Sequence, residues 1–188
     1  MLRRLFSPIE DADIQYQNST VKIVAHMNLQ ELHVAETVVG PLQEGKEYEM
    51  RFWVALELVR AGYARFYEED LLSFPTLNKI HWRETRLQIG QQISPLPDFF
   101  YPKLRRYLNE LKHKTLSDVT FASEYTQAVR LARDIVNCRL KKIVNLAGST
   151  QIESVLKSLS KEEQGLFENI NSVIMDWSSK ILEVEVFK

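Results

Sequence analysis

The stretch that decides the fold is residues 119–147, VTFASEYTQAVRLARDIVNCRLKKIVNLA. Its apolar residues recur at the three- and four-residue spacing of a helix, which predicts one long helix that ends at Gly148. They form two neighbouring stripes, one of Phe121, Tyr125, Ala128, Ala132, Ile135 and Ile143 and the other of Val129, Val136, Leu140 and Val144. A helix that is apolar over so wide an arc is buried on two sides, either at the centre of a bundle or in a subunit interface.

The segments on both sides of this helix also have helical patterns. All six prolines lie at or before Pro102, so the rest of the chain has no residue of the type that breaks helices most strongly. Apolar periodicity predicts a helix at 76–89 and a second helix that begins near Asp98, with Pro102 in its first turn, where the lost N–H matters least. Ser160 and Glu163 form a capping box, which predicts the start of the last helix.

The first 70 residues have a different pattern. Short alternating or apolar runs predict strands at 20–24, 32–34, 37–39, 48–50 and 63–66. An apolar helix is predicted at 52–60, with Gly62 just after its end as the residue that terminates it. The predicted fold class is therefore α+β: a small N-terminal β-rich domain with one helix at 1–70, followed by a larger all-helical domain of about four helices at 71–188.

Composition and charge limit the classes of function. The chain has 188 residues, 45% of them hydrophobic and 26% charged, and a formal net charge of -1, which is typical of a folded globular protein and not of a disordered one. No apolar run approaches the ~20 residues that span a bilayer, and the single cysteine, Cys138, excludes an internal disulfide. We therefore expect a soluble, intracellular protein with no membrane partner.

We find no sequence pattern typical of catalysis, cofactor binding or a metal site. Residues 40–47, GPLQEGKE, are similar to a phosphate-binding loop, but that loop ends in a hydroxyl that binds Mg²⁺, and Glu47 stands in its place, so a plain turn is expected. Cys138 lies in the middle of a predicted helix, where we expect an inert, packed thiol. The histidines lack the i, i+4 spacing of metal ligands; they are His26, His33, His81 and His113.

The basic residues concentrate in the helical middle of the chain. Residues 71–147 carry 13 Lys and Arg against 6 Asp and Glu. There are two clusters, one of Lys103, Arg105 and Arg106 and the other of Arg139, Lys141 and Lys142. Two interpretations stay open: these side chains contact phosphates or the acidic surface of a partner, or they lie on solvated helix faces and form ion pairs within the bundle.

Arg139 differs from the other cations in its position. It lies where the stripe of Ala132, Ile135 and Ile143 would otherwise continue, so we expect it to face an apolar seam. Because an isolated charge taken out of water is very costly, the guanidinium must be paired. The candidate partners are Asp134 on the same helix and an acidic side chain on a neighbouring helix or subunit.

Three segments, taken in order, resemble the subunits of the GINS complex. Residues 39–58 have a glycine-proline turn, a second glycine and an extended run that leads into an apolar-Trp-x-Ala helix. Residues 95–104, PLPDFFYPKL, resemble the paired-aromatic start of the main helix in the family's second domain. On the long helix, Arg139 and Lys142 resemble the family's Arg-x-x-Lys segment. The resemblance covers residues 32–142 in register.

The resemblance implies a subunit that is not an enzyme and uses no cofactor. In the GINS family, two copies of each of two subunit classes form a tetramer through their helical domains. That tetramer joins the MCM helicase and a RecJ-like, nuclease-related protein in the machine that unwinds DNA for replication. A small domain before the helical one is the order of the archaeal "two-three" class. The implied location is the cytoplasm of an archaeal cell, at the chromosome, or the nucleus if the source is eukaryotic.

The resemblance also implies where a partner subunit binds: on the wide apolar face of the third helix and the first turn of the second. The candidate interface or structural residues are Trp53, Trp82, Phe99, Phe100, Tyr101, Leu104, Tyr107, Ile135, Arg139, Lys142 and Trp177. The candidates for nucleic-acid or partner contact are Lys103, Arg105, Arg106 and Lys141. The alternative hypothesis is a DNA-binding regulatory module that uses these basic helices. Residues 1–20 have no counterpart in the family, and the alternating tail at 182–187 favours a strand or a frayed helix end.

Overall fold

The computed structural model describes residues 2–34, 37–86, 93–148 and 156–182. The chain forms two compact units: one is Asp13–Leu72, and the other combines Met1–Ala12 with Ser73–Lys188. The strands belong to the first unit and the long helices to the second, which confirms the predicted α+β class. The change of unit after Leu72 is close to the predicted boundary at residue 70, but the first twelve residues group with the helical unit and not with the small one.

The small unit is built on two antiparallel sheets. Its strands are β1 (Thr20–Ala25), β2 (Leu32–Val34), β3 (Thr37–Val39), β4 (Glu47–Arg51) and β5 (Ala64–Phe66). They lie at the five places where the sequence predicts strands. The three-stranded sheet has the order β4-β1-β5, and β2 pairs with β3. Ile23 at the centre of β1 lies opposite Tyr48 and Phe66. Val21, Ile23 and Ala25 are buried because alternate side chains of a strand share one face.

One helix, α2 (Phe52–Arg60), packs against the three-stranded sheet. Its buried side chains are Phe52, Val54, Ala55 and Leu58. The Phe52 ring stacks on Tyr16, with 4.4 Å between ring centroids, and on Phe66 at 5.5 Å. The helix is capped at Ala61, and Gly62 follows with a φ of +79°, a left-handed conformation that favours glycine. The predicted helix and its terminating glycine are therefore confirmed.

The first helix, α1 (Leu2–Gln17), is not predicted by the sequence pattern. Pro8 lies inside it, and its buried residues Ala12 and Tyr16 form only a narrow apolar face, one turn apart. A proline within so short an apolar pattern argues against a helix when the sequence is taken alone. In the helical unit Pro8 packs against Gly165, where a Cβ atom would lie 2.5 Å from the proline ring, so this close approach requires glycine.

The helical unit is arranged around one long helix. Its helices are α3 (Phe74–Arg86), α4 (Phe100–Ser117), α5 (Phe121–Ala147) and α6 (Lys161–Leu182). α5 contacts each of the other three, and Ala128, Ile135 and Ile143 of its first stripe are fully buried. The long helix therefore lies at the centre of a bundle, one of the two arrangements that its wide apolar arc predicts. Near the end of α5, Ile143 shares a hydrophobic core with Phe167 of α6.

Local hydrogen bonds determine where the helices begin. The capping box is confirmed: the Ser160 N–H donates to Glu163 Oε2 at 3.0 Å, and the Glu163 N–H donates to Ser160 Oγ at 3.3 Å. α5 begins two residues later than predicted. Just before it, the Asp118 carboxylate accepts the N–H and the hydroxyl of Thr120, at 2.9 and 2.7 Å. Such a local turn competes with helical hydrogen bonding.

Parts of two predictions lie outside the described residues. The helix predicted at 76–89 begins at Phe74 in the structure and is described as far as Arg86. The alternating tail lies beyond Leu182, the last residue that the structure describes. None of the helices in the described ranges is both long enough and apolar enough to cross a membrane.

Candidate functional site

Arg139 on α5 lies inside the helical unit and is fully buried. Its Nε and Nη2 donate to the two carboxylate oxygens of Glu163 on α6, at 2.5 and 2.7 Å. Its Nη1 donates to Glu84 Oε1 on α3 at 3.2 Å and to the Ser94 carbonyl oxygen at 2.7 Å. The planar fork of a guanidinium matches this two-pronged geometry. The predicted burial and pairing of Arg139 are confirmed, and the partners come from neighbouring helices.

Asp134, the candidate partner on the same helix, does not pair with Arg139. Its Oδ2 lies 3.3 Å from Nε2 of His81 on α3. Side chains three or four residues apart meet on a helix, whereas those five apart point to different sides. Asp134 therefore faces α3 at another level and adds a second polar link between α3 and α5.

Glu84 on α3 is also fully buried. It accepts hydrogen bonds from Ser94 Oγ at 2.6 Å and from Lys142 Nζ at 2.9 Å, besides the one from Arg139. Burial by itself raises the pKa of Glu84, but the hydrogen bonds from Ser94 and Lys142 and the charges of Arg139 and Lys142 outweigh it, so the pKa lies below its ordinary value. The carboxylate is therefore ionised at neutral pH.

Glu163 joins these charges to the start of α6. Besides Arg139, it receives the Ser160 N–H of the capping box and the Tyr101 hydroxyl, the latter at 2.7 Å. Burial, and then the negative charge of Glu163, raises the pKa of Tyr101 well above its ordinary range, so the phenol keeps its proton and donates. The whole set, which we call the Arg139 cluster, comprises Glu84, Ser94, Tyr101, Arg139, Lys142 and Glu163.

The Arg139 cluster takes its members from all four long helices and from the segment before α4. Its two carboxylates face two cations, so the charges balance within the interior. Matched charges of this kind orient the elements that carry them, and a buried group that is already paired is not free to act on a substrate. Within the described ranges, no group of three or more His, Cys, Asp or Glu side chains is placed to hold a metal ion.

Three residues of the second apolar stripe of α5 are exposed to solvent, and the fourth, Val129, is half-buried. Val136, Leu140 and Val144 are 42%, 41% and 44% exposed. They follow one another at four-residue intervals and so lie along one side of the helix. We call these three residues the outer stripe. A row of apolar side chains on a helix that its own bundle holds in place is typical of a protein-protein contact.

A comparison with models of protein families identifies the family of this helical bundle. The model of the GINS complex protein helical bundle domain matches residues 53–182. The chain belongs to the GINS family. The matched residues include the Arg139 cluster and the outer stripe. A comparison with curated protein sequences finds no match.

The aromatic candidates of this GINS chain occupy three kinds of position. Phe100 is buried, as are the aliphatic candidates Leu104 and Ile135. The half-buried ones are Trp53, Phe99, Tyr101 and Tyr107. The Tyr107 hydroxyl donates to Glu124 Oε1 at 3.0 Å, which links α4 to α5. Trp82 and Trp177 are exposed, so neither is a core residue of the bundle.

The basic candidates are partly used within the GINS chain itself. Lys142 belongs to the Arg139 cluster, and Arg106 Nε donates to Glu110 Oε1 at 2.6 Å, one turn further along α4. Of the others, Lys103 and Arg105 are half-buried and Lys141 is exposed. Ion pairs within the bundle, one of the two interpretations left open, therefore account for Arg106, Arg139 and Lys142. The structure brings Tyr101, Arg139 and Lys142 together and leaves Lys141 outside their cluster.

The loop that is similar to a phosphate-binding loop has the geometry of a turn. Residues 40–46 connect β3 to β4, and Glu47 begins a strand, where a phosphate loop would continue into a helix. Gly40 and Gly45 have φ angles of +104° and +76°, conformations that favour glycine. The prediction of a plain turn is confirmed. Cys138, on α5, is half-buried.

Sequence reasoning missed the partners of Arg139. Glu84 lies on the buried face of α3, four residues after Ile80 and seven after Leu77. An acid that continues an apolar stripe at helical spacing is a signal of a buried, paired carboxylate, the same signal that identified Arg139. Glu163 was assigned only to the capping box. No pattern in the sequence marks Ser94.

Proposed function

We propose that this GINS chain is a non-catalytic subunit of a GINS complex in DNA replication. It assembles with a second class of GINS subunit, two copies of each in a tetramer, and the tetramer holds the MCM helicase and a RecJ-like protein together at the chromosome. The observation that carries the proposal is the outer stripe, an exposed apolar row inside the matched helical bundle domain. The order of the two units, small before helical, supports assignment to the archaeal two-three class.

The outer stripe has the properties of a subunit contact. Three neighbouring helices and the Arg139 cluster hold α5, so a partner meets a preorganised surface and little conformational entropy is lost on binding. Fully burying a Val or Leu side chain contributes ~1.5–3 kcal/mol. Since each residue of the outer stripe keeps about two-fifths of its surface exposed, a partner helix that covers the stripe gains ~1 kcal/mol from each of them. The first turn of α4 is the second proposed contact.

The Arg139 cluster supports a scaffolding role for the bundle. Its carboxylates and cations are matched, and the raised pKa of Tyr101 keeps the phenol protonated. Catalytic acids and bases need a pKa near the working pH and access to a substrate. Glu84, Arg139 and Glu163 are buried and paired, so the ion pairs and hydrogen bonds of the cluster hold α3, α4, α5 and α6 together and are not open to a substrate. We therefore propose that the chain itself has no enzyme activity and uses no cofactor.

Co-expression with a GINS subunit of the other class tests the assembly. We expect a tetramer by size-exclusion chromatography with light scattering. Leu140→Glu should abolish it, because a carboxylate would have to be buried without a partner in the middle of the interface. The matched control is Val38→Glu on β3, an exposed apolar residue of the small unit. A normal tetramer from Leu140→Glu would contradict the interface, and no complex with any subunit of the other class would contradict the function.

The alternative function, a DNA-binding regulatory module on the basic helical middle, has less support. Arg106, Arg139 and Lys142 are paired within the chain, which leaves fewer cations for phosphates. That function requires Lys103→Ala and Lys141→Ala to weaken DNA binding while folding and assembly stay intact. An electrophoretic shift assay on the two variants, with the tetramer yield measured in parallel, separates it from the GINS assembly.

A further inference from the structure

We propose that the outward face of α3 binds a single-stranded nucleic acid, with Trp82 as its stacking platform. The face consists of four residues at the i, i+3, i+4, i+7 spacing of one helix side: Lys79, Trp82, Arg83 and Arg86. It lies opposite the buried residues of the same helix, which are Leu77, Ile80 and Glu84. It therefore presents three cations and an indole on one side of α3, apart from both the Arg139 cluster and the outer stripe.

Trp82 is exposed over 56% of its surface. The guanidinium carbon of Arg86, one turn further along α3, lies 4.2 Å from the centroid of the indole. This cation-π contact holds the ring in place and covers one of its two faces. More than half of the residue stays exposed beside this contact, so the indole retains open surface. A flat aromatic face that is held rigid and open to solvent is a platform on which an unpaired base stacks.

The cations lie on both sides of the platform. Lys79 is one turn before Trp82 and Arg86 one turn after it, so phosphates that flank a stacked base meet a positive charge in either direction. Arg83, on the same side of α3, is half-buried, and its Nη2 donates to the Pro95 carbonyl oxygen at 3.1 Å, so Lys79 and Arg86 are the more accessible cations. The helix rises ~10 Å from Lys79 to Arg86, a length covered by about three nucleotides stacked at ~3.4 Å.

No acid on α3 opposes the binding of phosphates to this face. The acidic residue of the helix, Glu84, points into the interior, where Ser94, Arg139 and Lys142 hold it. Its negative charge is therefore matched before a nucleic acid approaches. The outward face keeps its positive potential, which attracts a phosphate backbone without regard to sequence.

The combination of side chains favours a single strand over other polyanions. Three cations alone would attract any polyanion; the indole between them adds a flat surface on which an unpaired base between two phosphates can stack. The bases of a duplex already stack on each other, whereas the bases of a single strand are free to stack on an indole. Stacking does not distinguish DNA from RNA, so the chemistry of the ligand is that of an unpaired base with its phosphates.

Trp177 on α6 is a natural control within the same chain. It is 64% exposed, slightly more than Trp82, but Val173 and Ile181, four residues before and after it, are exposed and apolar, and Lys180 is the one cation within a turn of it on α6. This indole has a cation on one side only, whereas Trp82 has Lys79 before it and Arg86 after it. Its replacement tests whether an exposed tryptophan by itself is sufficient for binding.

Fluorescence anisotropy of the full chain with labelled oligothymidine and oligouridine tests the proposal. We expect saturable binding at low salt. Trp82→Ala should weaken it about tenfold, which corresponds to ~1.4 kcal/mol for one lost base stack, and Trp82→Phe should retain most of it. Trp177→Ala should leave the affinity unchanged. Lys79→Ala should reduce the slope of log K against log salt by ~0.7, the value for one phosphate contact to a single strand.

Several outcomes would overturn the proposal: no saturable binding to either oligonucleotide, equal losses from Trp82→Ala and Trp177→Ala, or competition by a duplex as strong as by a single strand. Loss of binding in Lys141→Ala but not in Trp82→Ala would show that the nucleic acid binds the basic residues of α5 and not the outward face of α3. Loss of the GINS tetramer in Trp82→Ala would make Trp82 a subunit contact. A preference for either oligonucleotide supports the proposal and identifies its natural ligand as DNA or RNA.

Discussion

Arg139 and Leu140 are consecutive residues of α5, yet the arginine is fully buried and the leucine is two-fifths exposed. This inverts the usual distribution, in which arginines are exposed and leucines are buried. The charge is tolerated inside because Glu84 and Glu163 match it. The leucine is outside because no element in the described part of the chain covers that side of α5, where we propose a partner subunit. The comparison therefore separates the Arg139 cluster, which stabilises the fold of this chain, from the outer stripe, which we propose as a contact with a partner subunit.

The largest effect on the stability of the chain is expected from replacing the buried residue, Arg139. Arg139→Ala removes the cation that pairs with buried Glu163 and leaves buried Glu84 with Lys142 alone, so it should lower the free energy of unfolding by ~3–5 kcal/mol. Arg139→Lys keeps the charge but loses the planar fork, so it should also destabilise the chain. Urea denaturation measures both. Arg133→Ala, an exposed arginine on the same helix, is the control and should change little. A stability of Arg139→Ala equal to that of the control would show that the cluster does not stabilise the bundle.

A smaller, pH-dependent effect is expected for Glu84→Gln. The pKa of Glu84 in the folded chain lies below its ordinary value of 4.5, so its ionised form stabilises the fold above that pH. As the pH falls below 4.5 and through the folded pKa, this contribution is lost. Glu84→Gln removes the titrating group and should flatten the acid side of the stability curve. Thermal unfolding followed by circular dichroism between neutral and acid pH measures both curves, and parallel acid sides would contradict the prediction.

Tyr101→Phe removes the hydroxyl that donates to Glu163 and tests how much this neutral hydrogen bond contributes to the stability of the Arg139 cluster. A hydrogen bond to a charged group contributes ~1.5–3 kcal/mol, so we expect a loss near the lower limit, ~1.5 kcal/mol, because Arg139 and Ser160 still bind the carboxylate. Tyr107→Phe is the matched control, since Tyr107 donates to Glu124 in a more exposed setting. Urea midpoints of the two variants measure the difference. A larger loss from Tyr107→Phe would reverse the order of burial that we assign to these pairs.

The smallest effect on stability is expected for the outer stripe. Leu140→Ser exposes a hydroxyl where a leucine was already partly in water, so the unfolding free energy of the isolated chain should change by no more than ~0.5 kcal/mol. The same variant should form less tetramer with a GINS subunit of the other class, because part of the apolar contact is lost. A clear loss of stability in the isolated chain would mean that Leu140 belongs to the core of its own bundle.

Most of the elements were predictable because their signals are local. Alternation over a few residues identified β1 and the short strands, and the capping box identified the start of α6. The helix α1 was missed because Pro8 and a narrow apolar face, with Ala12 and Tyr16 one turn apart, obscure its periodicity. Trp82 and Trp177 were named as interface or structural residues, but the sequence could not show that both are exposed, because exposure depends on what lies over each helix face.

The sequence by itself determined the order of the elements, the wide apolar arc of α5 and the requirement that Arg139 be paired. These follow from backbone hydrogen bonding, helical periodicity and the cost of an unmatched charge, all of which act within a few residues. Only the tertiary structure decided that Glu84 and Glu163 provide the pairing, because they lie 55 and 24 residues away along the chain. It also decided which stripe of α5 is covered and which is open. A residue is buried when segments that are distant in sequence pack over it, and a local sequence pattern does not show which segments these are.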